Sequence, residues 1–185
     1  MGFIKIRGEK RQIDTERPQD LVVPEYNIVV RNSILGEGVT IWSNVNIYGA
    51  EIGENTKIGA FVEIRKGVKI GRNVKIEPFV FIPEGVKIGD CVFLGPNVIF
   101  TNDIYPCSCN ESGELKEEYE ITSTIIEDQV SIGAQSVIKC GITIGKGALI
   151  GLGSAVTEDI PGGVVVYGEK AKIRRNLDES DDTAC

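Results

Sequence analysis

An apolar residue falls at every sixth position over most of this chain. The first run is Leu35, Ile41 and Ile47, then after one shortened step Ile52, Ile58, Ile64, Ile70, Ile76, Ile82, Ile88, Leu94 and Phe100. A second run is Ile126, Ile132, Ile138, Ile144, Ile150 and Val156. Two residues before these anchors stand small or β-branched residues such as Val62, Val68, Val74, Val80 and Ala148, and Gly often follows, as at Gly53, Gly71 and Gly89. A helix cannot bury this pattern as one stripe, because a period of six drifts around a 3.6-residue turn. Short strands joined by tight turns can. Residues two apart on a strand share a face, and a following Gly lets the backbone turn without a Cβ clash. Eighteen anchors, twelve and then six, are the signature of a parallel β-helix built from hexapeptides.

Composition narrows the function. At 185 residues, 42% apolar and 25% charged, the chain is expected to form one globular domain with a real core. A net charge of −7 argues against nucleic acid as the main partner, since phosphate binding is driven by basic surfaces. No stretch reads as a leader, and no apolar run approaches the ~20 residues of a membrane span, so no membrane role and a cytoplasmic location are expected. Five cysteines, an odd and scattered number, make no disulfide framework. Cys107 and Cys109 stand too close together, with too few neighbouring ligands, to read as a zinc site.

The repeat resembles that of the hexapeptide-repeat acyltransferases, whose left-handed β-helix winds three six-residue strands into a triangular coil of 18 residues. That resemblance implies an all-β fold, a left-handed parallel β-helix of about six triangular coils with one long excursion loop. At ~4.8 Å per rung, six coils stand about 29 Å tall. The expected layout is an irregular, charged N-terminal arm over residues 1–26, the β-helix over 27–165 with its loop at 104–123, and a C-terminal segment with an acidic tail over 166–185. A loop of 20 residues is longer than connections without a purpose usually run.

The loop begins where the period breaks, at Thr101-Asn102-Asp103. In an 18-residue coil Glu84 lies one rung beneath Asn102, ~5 Å away, so Glu84, Asn102 and Asp103 are expected to cluster at one corner. Convergent polar groups at the mouth of a long loop read as a pocket on an inert scaffold. The plainer alternative is that Asn and Asp end a strand by bonding nearby backbone and that Glu84 is an ordinary turn residue.

The segment GPNVIFTNDIYP resembles the GP-x-V-x-FTND-x-x-P stretch of the nucleotide-linked amino-sugar N-acetyltransferases, which acetylate 3-amino sugars on UDP or dTDP. The likeness continues through IGAQSVIKCGITIGKGALIGLGSAVTEDIP and covers roughly residues 34–172. The chain departs from that family at Cys107 and Ser43, where Arg and His are usual. The resemblance implies acetyl-CoA as cosubstrate, a nucleotide sugar as acceptor, no metal, and a homotrimer with active sites between neighbouring prisms. It also implies that Asn102, Asp103 and Glu84 face the sugar. Ala134 and Leu152, 18 apart, stack as a rail for the pantetheine arm, and Lys170, Lys172, Arg174 and Arg175 are candidates for the cofactor's phosphates. A merely solvated basic face is the rival reading for those four.

The sequence contains no histidine. Hexapeptide O-acetyltransferases generally use His as general base, and a hydroxyl near the pKa of water, ~15.7, needs one. An amine near ~7.8 is already partly neutral at pH 7. The composition therefore favours an amine acceptor attacking the thioester directly, with Glu84 and Asn102 orienting it and a backbone N–H holding the oxyanion. A carboxylate-driven sugar O-acetyltransferase and a non-catalytic trimeric scaffold are the alternatives.

Overall fold

The structure, a computed structural model, describes residues 2–168. Nearly all of its regular structure is strand, and the helical exception is one turn of 3-10 helix, Pro24–Tyr26. Most strands are two residues long and stack in parallel, each hydrogen-bonded to the strand one coil away. The result is the left-handed parallel β-helix expected from the repeat.

Register follows sequence arithmetic. Ile58 pairs with Ile76 and Ile76 with Leu94, steps of 18. Leu94 pairs next with Ile132, a step of 38, so the 20 residues of the loop are spliced out without shifting the ladder. The shortened step leaves its own mark: Ile47 pairs with Ile64, 17 residues on. Each anchor points inward. Ile58, Ile64, Ile82, Leu94 and Phe100 are all essentially solvent-free, and each such side chain contributes roughly 1.5–3 kcal/mol relative to exposure.

The corners explain the spacing. Left-handed backbone recurs every sixth residue, at Asn55, Phe61, Gly67, Asn73, Phe79, Gly85, Cys91 and Asn97. Gly and Asn tolerate this region, whereas bulky residues enter it at a cost. Gly53 serves a different need: a Cβ there would sit 2.5 Å from the carbonyl carbon of Gly71 on the next rung. The Gly after an anchor thus lets successive corners stack.

The N-terminal segment is not the irregular arm expected. Strands β1 (Gly2–Ile6) and β2 (Glu9–Ile13) form an antiparallel hairpin, and β1 pairs in parallel with Thr40–Ile41. Ile4 and Ile6 are fully buried and close the end of the core. Strand β3 (Gln19–Val23) pairs antiparallel with β4 (Ile28–Leu35), which turns a corner at Asn32 and serves two faces. With β1 at one end and Val165–Val166 at the other, one face carries eight parallel rungs, two more than the six coils read from the anchors. None of the described helices is long and apolar enough to cross a membrane.

Buried hydroxyls inside the prism are mostly satisfied: Thr56 donates to the carbonyl of Gly71, and Ser136 to that of Gly151. Thr124 is the exception among the described residues. Its Oγ1 is buried with no partner, on a strand paired with Val86 and beside Ile142. An unpaired buried hydroxyl costs about 1–3 kcal/mol. Thr124→Val keeps the branched shape and removes the hydroxyl, so it is expected to stabilise the fold by about 1 kcal/mol. At this chain length that raises the melting temperature by about 2–4 °C, measurable by calorimetry.

Candidate active site

Strands Phe81–Ile82 and Ile99–Phe100 lie one above the other and deliver Glu84 and Asn102 to the same corner. Asn102 Nδ2 donates to Glu84 Oε2 at 3.3 Å. The 18-residue spacing thus brings this pair together as the coil arithmetic requires. Glu84 is further held by two residues that sequence reasoning missed. Arg65 Nε donates to Glu84 Oε1 at 3.4 Å, and the Tyr119 hydroxyl approaches Oε2 at 3.5 Å. The Glu84 side chain is 18% exposed, so these contacts operate partly out of water.

Arg65 is shared. Its Nη1 donates to Glu63 Oε1 at 2.9 Å, and its guanidinium lies 5.9 Å from the centre of the Tyr48 ring. The hydrogen bond that Arg65 donates to Glu63, with further support from Glu84, raises the Arg65 pKa above its ordinary value against the opposing effect of burial. The corner therefore holds two carboxylates around a permanently charged guanidinium, with a neutral amide and a phenol completing it.

Asp103 is placed differently. Its Oδ1 accepts the backbone N–H of Tyr105 at 2.8 Å, and no hydrogen bond or ion pair joins it to Glu84 or Asn102 among the described residues. Thr101 is structural too, its hydroxyl accepting from the Cys140 N–H at 2.9 Å. The loop leaves and returns at one point, closed by the Thr122 N–H donating to the Asn102 carbonyl. Its return packs over Gly85, where a Cβ would meet the Ile121 side chain at 2.7 Å; that position also has φ +89°. Within the loop, Asn110, Ser112 and Glu114 bond one another, and Cys109 bridges Leu115.

The proposed cofactor rail occupies another corner. Ala134 and Leu152 stack on adjacent rungs, the Gly153 N–H donating to the Ala134 carbonyl at 2.8 Å. A Cβ on Gly133 would lie 2.5 Å from the Leu152 nitrogen, and Leu152 itself is 78% exposed. The rail precedes strand Val137–Ile138, whereas Asn102 follows Ile99–Phe100, its neighbour on the same face. The two features therefore stand at opposite edges of one face, six residues or about 20 Å apart at ~3.3 Å per residue. Lys170, Lys172, Arg174 and Arg175 lie outside the described residues.

Comparison with known proteins gives the class. The profile described as bacterial transferase hexapeptide (six repeats) matches residues 32–66, 49–84 and 67–102, and hexapeptide repeat of succinyl-transferase matches residues 123–158. Together they span more than half of the chain, and the chain belongs to the hexapeptide-repeat transferases. A 2,3,4,5-tetrahydropyridine-2,6-dicarboxylate N-acetyltransferase of Clostridium perfringens is 55% identical over 58 residues, 31% of this chain and 25% of that protein. The chain thus matches only about a quarter of that relative's length. A hexapeptide-repeat-containing acetyltransferase of Vibrio cholerae O1 biovar eltor, solved with acetyl coenzyme A, has a TM-score of 0.54. It is 28% identical, and the likeness covers 71% of this chain and 72% of that one. The N-acyltransferase AntD of Bacillus cereus, solved as a point mutant with dTDP and coenzyme A, has a TM-score of 0.55. At 21% identity over 74% of this chain and 79% of its own, it shares the fold.

Asp103 sets the first turn of the loop rather than contacting Glu84. Asp103→Ala is expected to speed proteolytic nicking between residues 104 and 123 severalfold, since the freed Tyr105 N–H loses its acceptor. The melting temperature should stay within about 2 °C of wild type, because the prism ladder is untouched. Limited trypsinolysis and a thermal scan on the same preparation check both.

Proposed function

We propose that this chain is an acetyl-CoA-dependent N-acetyltransferase whose acceptor is an amino sugar carried on UDP or dTDP. The observation that carries the reading is the Glu84–Asn102 pair at the mouth of the loop, in a chain without histidine. A carboxylate offers about four acceptor positions, and Arg65, Asn102 and Tyr119 occupy three. One remains to receive an N–H from the acceptor amine. The neutral amine attacks the thioester carbonyl, forming the C–N bond through a tetrahedral intermediate. Collapse breaks the C–S bond, and the amine's extra proton passes to the departing thiolate or to water. Glu84 orients the amine, Asn102 fixes Glu84, and Arg65 balances its charge.

Two rival acceptors fit less well. A sugar hydroxyl would need a general base, and the corner provides no imidazole. A pyridine-type dicarboxylate, the substrate in the name of the Clostridium perfringens relative, would bring two negative charges to a corner that already holds Glu63 and Glu84 against one Arg65. At the acceptor position those carboxylates would lie against Glu84 itself, whereas a nucleotide sugar presents its charge a sugar's length away, at its diphosphate; like charges placed together cost several kcal/mol, so this acceptor is disfavoured.

The reading also bears on assembly. Reaction requires the carbonyl within about 3–3.5 Å of the amine, while the Ala134–Leu152 rail lies a face-width from Glu84 of the same chain. A rail from a neighbouring prism brings the thioester to this corner, which supports a homotrimer with a site at each cleft. Light scattering at micromolar concentration is expected to give three times the 20.1 kDa chain mass, and a monomer mass would sink this assembly.

Kinetics test the corner itself. Asn102→Ala and Glu84→Gln should each lower kcat/KM for a UDP- or dTDP-linked amino sugar by roughly tenfold or more, about 1.4 kcal/mol at the transition state. The losses should fall short of adding in the double variant, because Asn102 acts on the amine through Glu84. Affinity for acetyl-CoA should hardly change. Full activity in both single variants, or acetylation of 2,3,4,5-tetrahydropyridine-2,6-dicarboxylate in preference to every amino sugar, would overturn the proposal.

A further inference from the structure

Two phenylalanines occupy corner positions that the fold gives mostly to Gly and Asn elsewhere. Phe61 (φ +59°) and Phe79 (φ +64°) lie in the left-handed region, where a bulky side chain is strained. Their rings stack in parallel, 4.9 Å between centroids and 5° between planes, yet both remain about half exposed, at 52% and 51%. The same column holds Asn44 one rung before Phe61 and Asn97 one rung after Phe79. Asn at these two corners is the relaxed choice, so the paired rings keep strain and exposure where the fold asks for neither.

Phe79 covers one side of the Phe61 ring, and Phe61 is the member of the pair that lines a groove of about 540 Å³. The groove runs over the face formed by β4 and strands Val45–Tyr48 and Glu63–Ile64. Its polar wall consists of Asn27, Asn44 and Asn46, with Asn27 Nδ2 donating to Asn44 Oδ1 at 3.1 Å, and it ends at Glu63. Glu63 is the residue bonded to Arg65, which holds Glu84. The groove is thus linked to the candidate active site through the Glu63–Arg65–Glu84 contacts. Arg65 stands between them, and Arg31, whose guanidinium is 3.7 Å from Asp20, lies in strand register with Tyr48, over whose ring Arg65 sits.

We propose that this groove binds the nucleoside diphosphate portion of the acceptor, the base stacking on Phe61 against the Asn27, Asn44 and Asn46 amides and the diphosphate crossing toward Arg65 and Arg31. The inference rests on the nucleotide-sugar reading above and deepens it. An aromatic face recognises the flat surface of any base, and side-chain amides carry both the donors and the acceptors that a base edge requires. Planar guanidinium groups suit phosphate oxygens. The geometry has the right span: five residues separate the Phe61 corner from the Lys66 position beneath Glu84, about 16 Å along the strand, with one further rung of ~4.8 Å to Glu84. An extended nucleoside diphosphate sugar laid across the face places its amine at Glu84 when its base lies on Phe61.

Titration calorimetry with UDP, dTDP and GDP, with inorganic pyrophosphate as the baseless control, tests the groove directly. At least one nucleoside diphosphate should bind the wild-type protein. Phe61→Asn should weaken that binding by about tenfold or more, the loss expected for one base stack, while leaving the weak pyrophosphate signal unchanged. Because Asn suits the left-handed corner, the melting temperature of Phe61→Asn should hold or rise. Asn46→Ala, which leaves the strained corner alone, should also lower nucleotide affinity. No binding of any nucleoside diphosphate to wild type, or undiminished binding in both variants, overturns the groove assignment. Acetyl transfer measured on the same preparations separates the two proposals. Wild-type turnover of a nucleotide amino sugar with an unchanged KM in Phe61→Asn refutes the groove and leaves the function standing. Nucleotide binding sensitive to Phe61, with no amino sugar acetylated, refutes the function and leaves the groove.

Discussion

The constraint on which everything else depends is the close stacking of identical coils around a filled apolar column. Adjacent rungs are fixed at ~4.8 Å by backbone hydrogen bonds, and the three sides of each coil must close over Ile, Val and Leu without a void. Both demands are met when each side takes six residues with its anchor inward. Any residue then lies above the one 18 before it, unless a residue is removed, as between Ile47 and Ile64, or a loop is spliced out, as between Leu94 and Ile132. Those departures are absorbed entirely at corners. The ladder on either side continues in register, which is why a 20-residue excursion can be carried without disturbing the core.

This rigidity decides what could be read from the sequence. The anchors and the Glu84–Asn102 contact were legible because both depend only on the coil length. Strand β1 was not, since Ile4 and Ile6 belong to an antiparallel hairpin and lack the six-residue spacing, although they fill the same column. Arg65 was within reach of the arithmetic but one position out of line with Glu84, so its long side chain, rather than its backbone register, brings it to the carboxylate. Tyr119 carried no signal. It sits in an aperiodic loop whose path is set by its own contacts, among them the Asn110 turn and the closure from Thr122 to Asn102. Asp103, grouped with the other two on adjacency alone, spends its carboxylate on the backbone of Tyr105.

A scaffold this regular also makes its exceptions informative. Corners with left-handed backbone accept Gly or Asn at little cost, and most of them carry one. Phe61 and Phe79 depart from that rule on adjacent rungs of a single column, and their rings satisfy each other only in part. A sequence free to relax would place Asn there, as it does on the rungs to either side. Strain that persists in an otherwise consistent repeat points to a demand from outside the fold. The proposed binding of a base in the groove beside Phe61 is a demand of that kind.

Charge placement completes the argument. Glu63, Arg65 and Glu84 lie in a line from the groove to the corner, so the guanidinium is flanked by carboxylates and each carboxylate has a cationic neighbour. Removing Arg65 from such a set would leave two like charges facing each other in a partly dehydrated corner, while removing either Glu would leave the cation with one partner. The arrangement thus holds Glu84 in place without neutralising its remaining acceptor position. An imidazole at this corner would compete for that carboxylate as a donor and would offer a base to hydroxyl acceptors as well. In its absence, the corner suits the proposed amine acceptor, a nucleophile that needs orientation more than deprotonation.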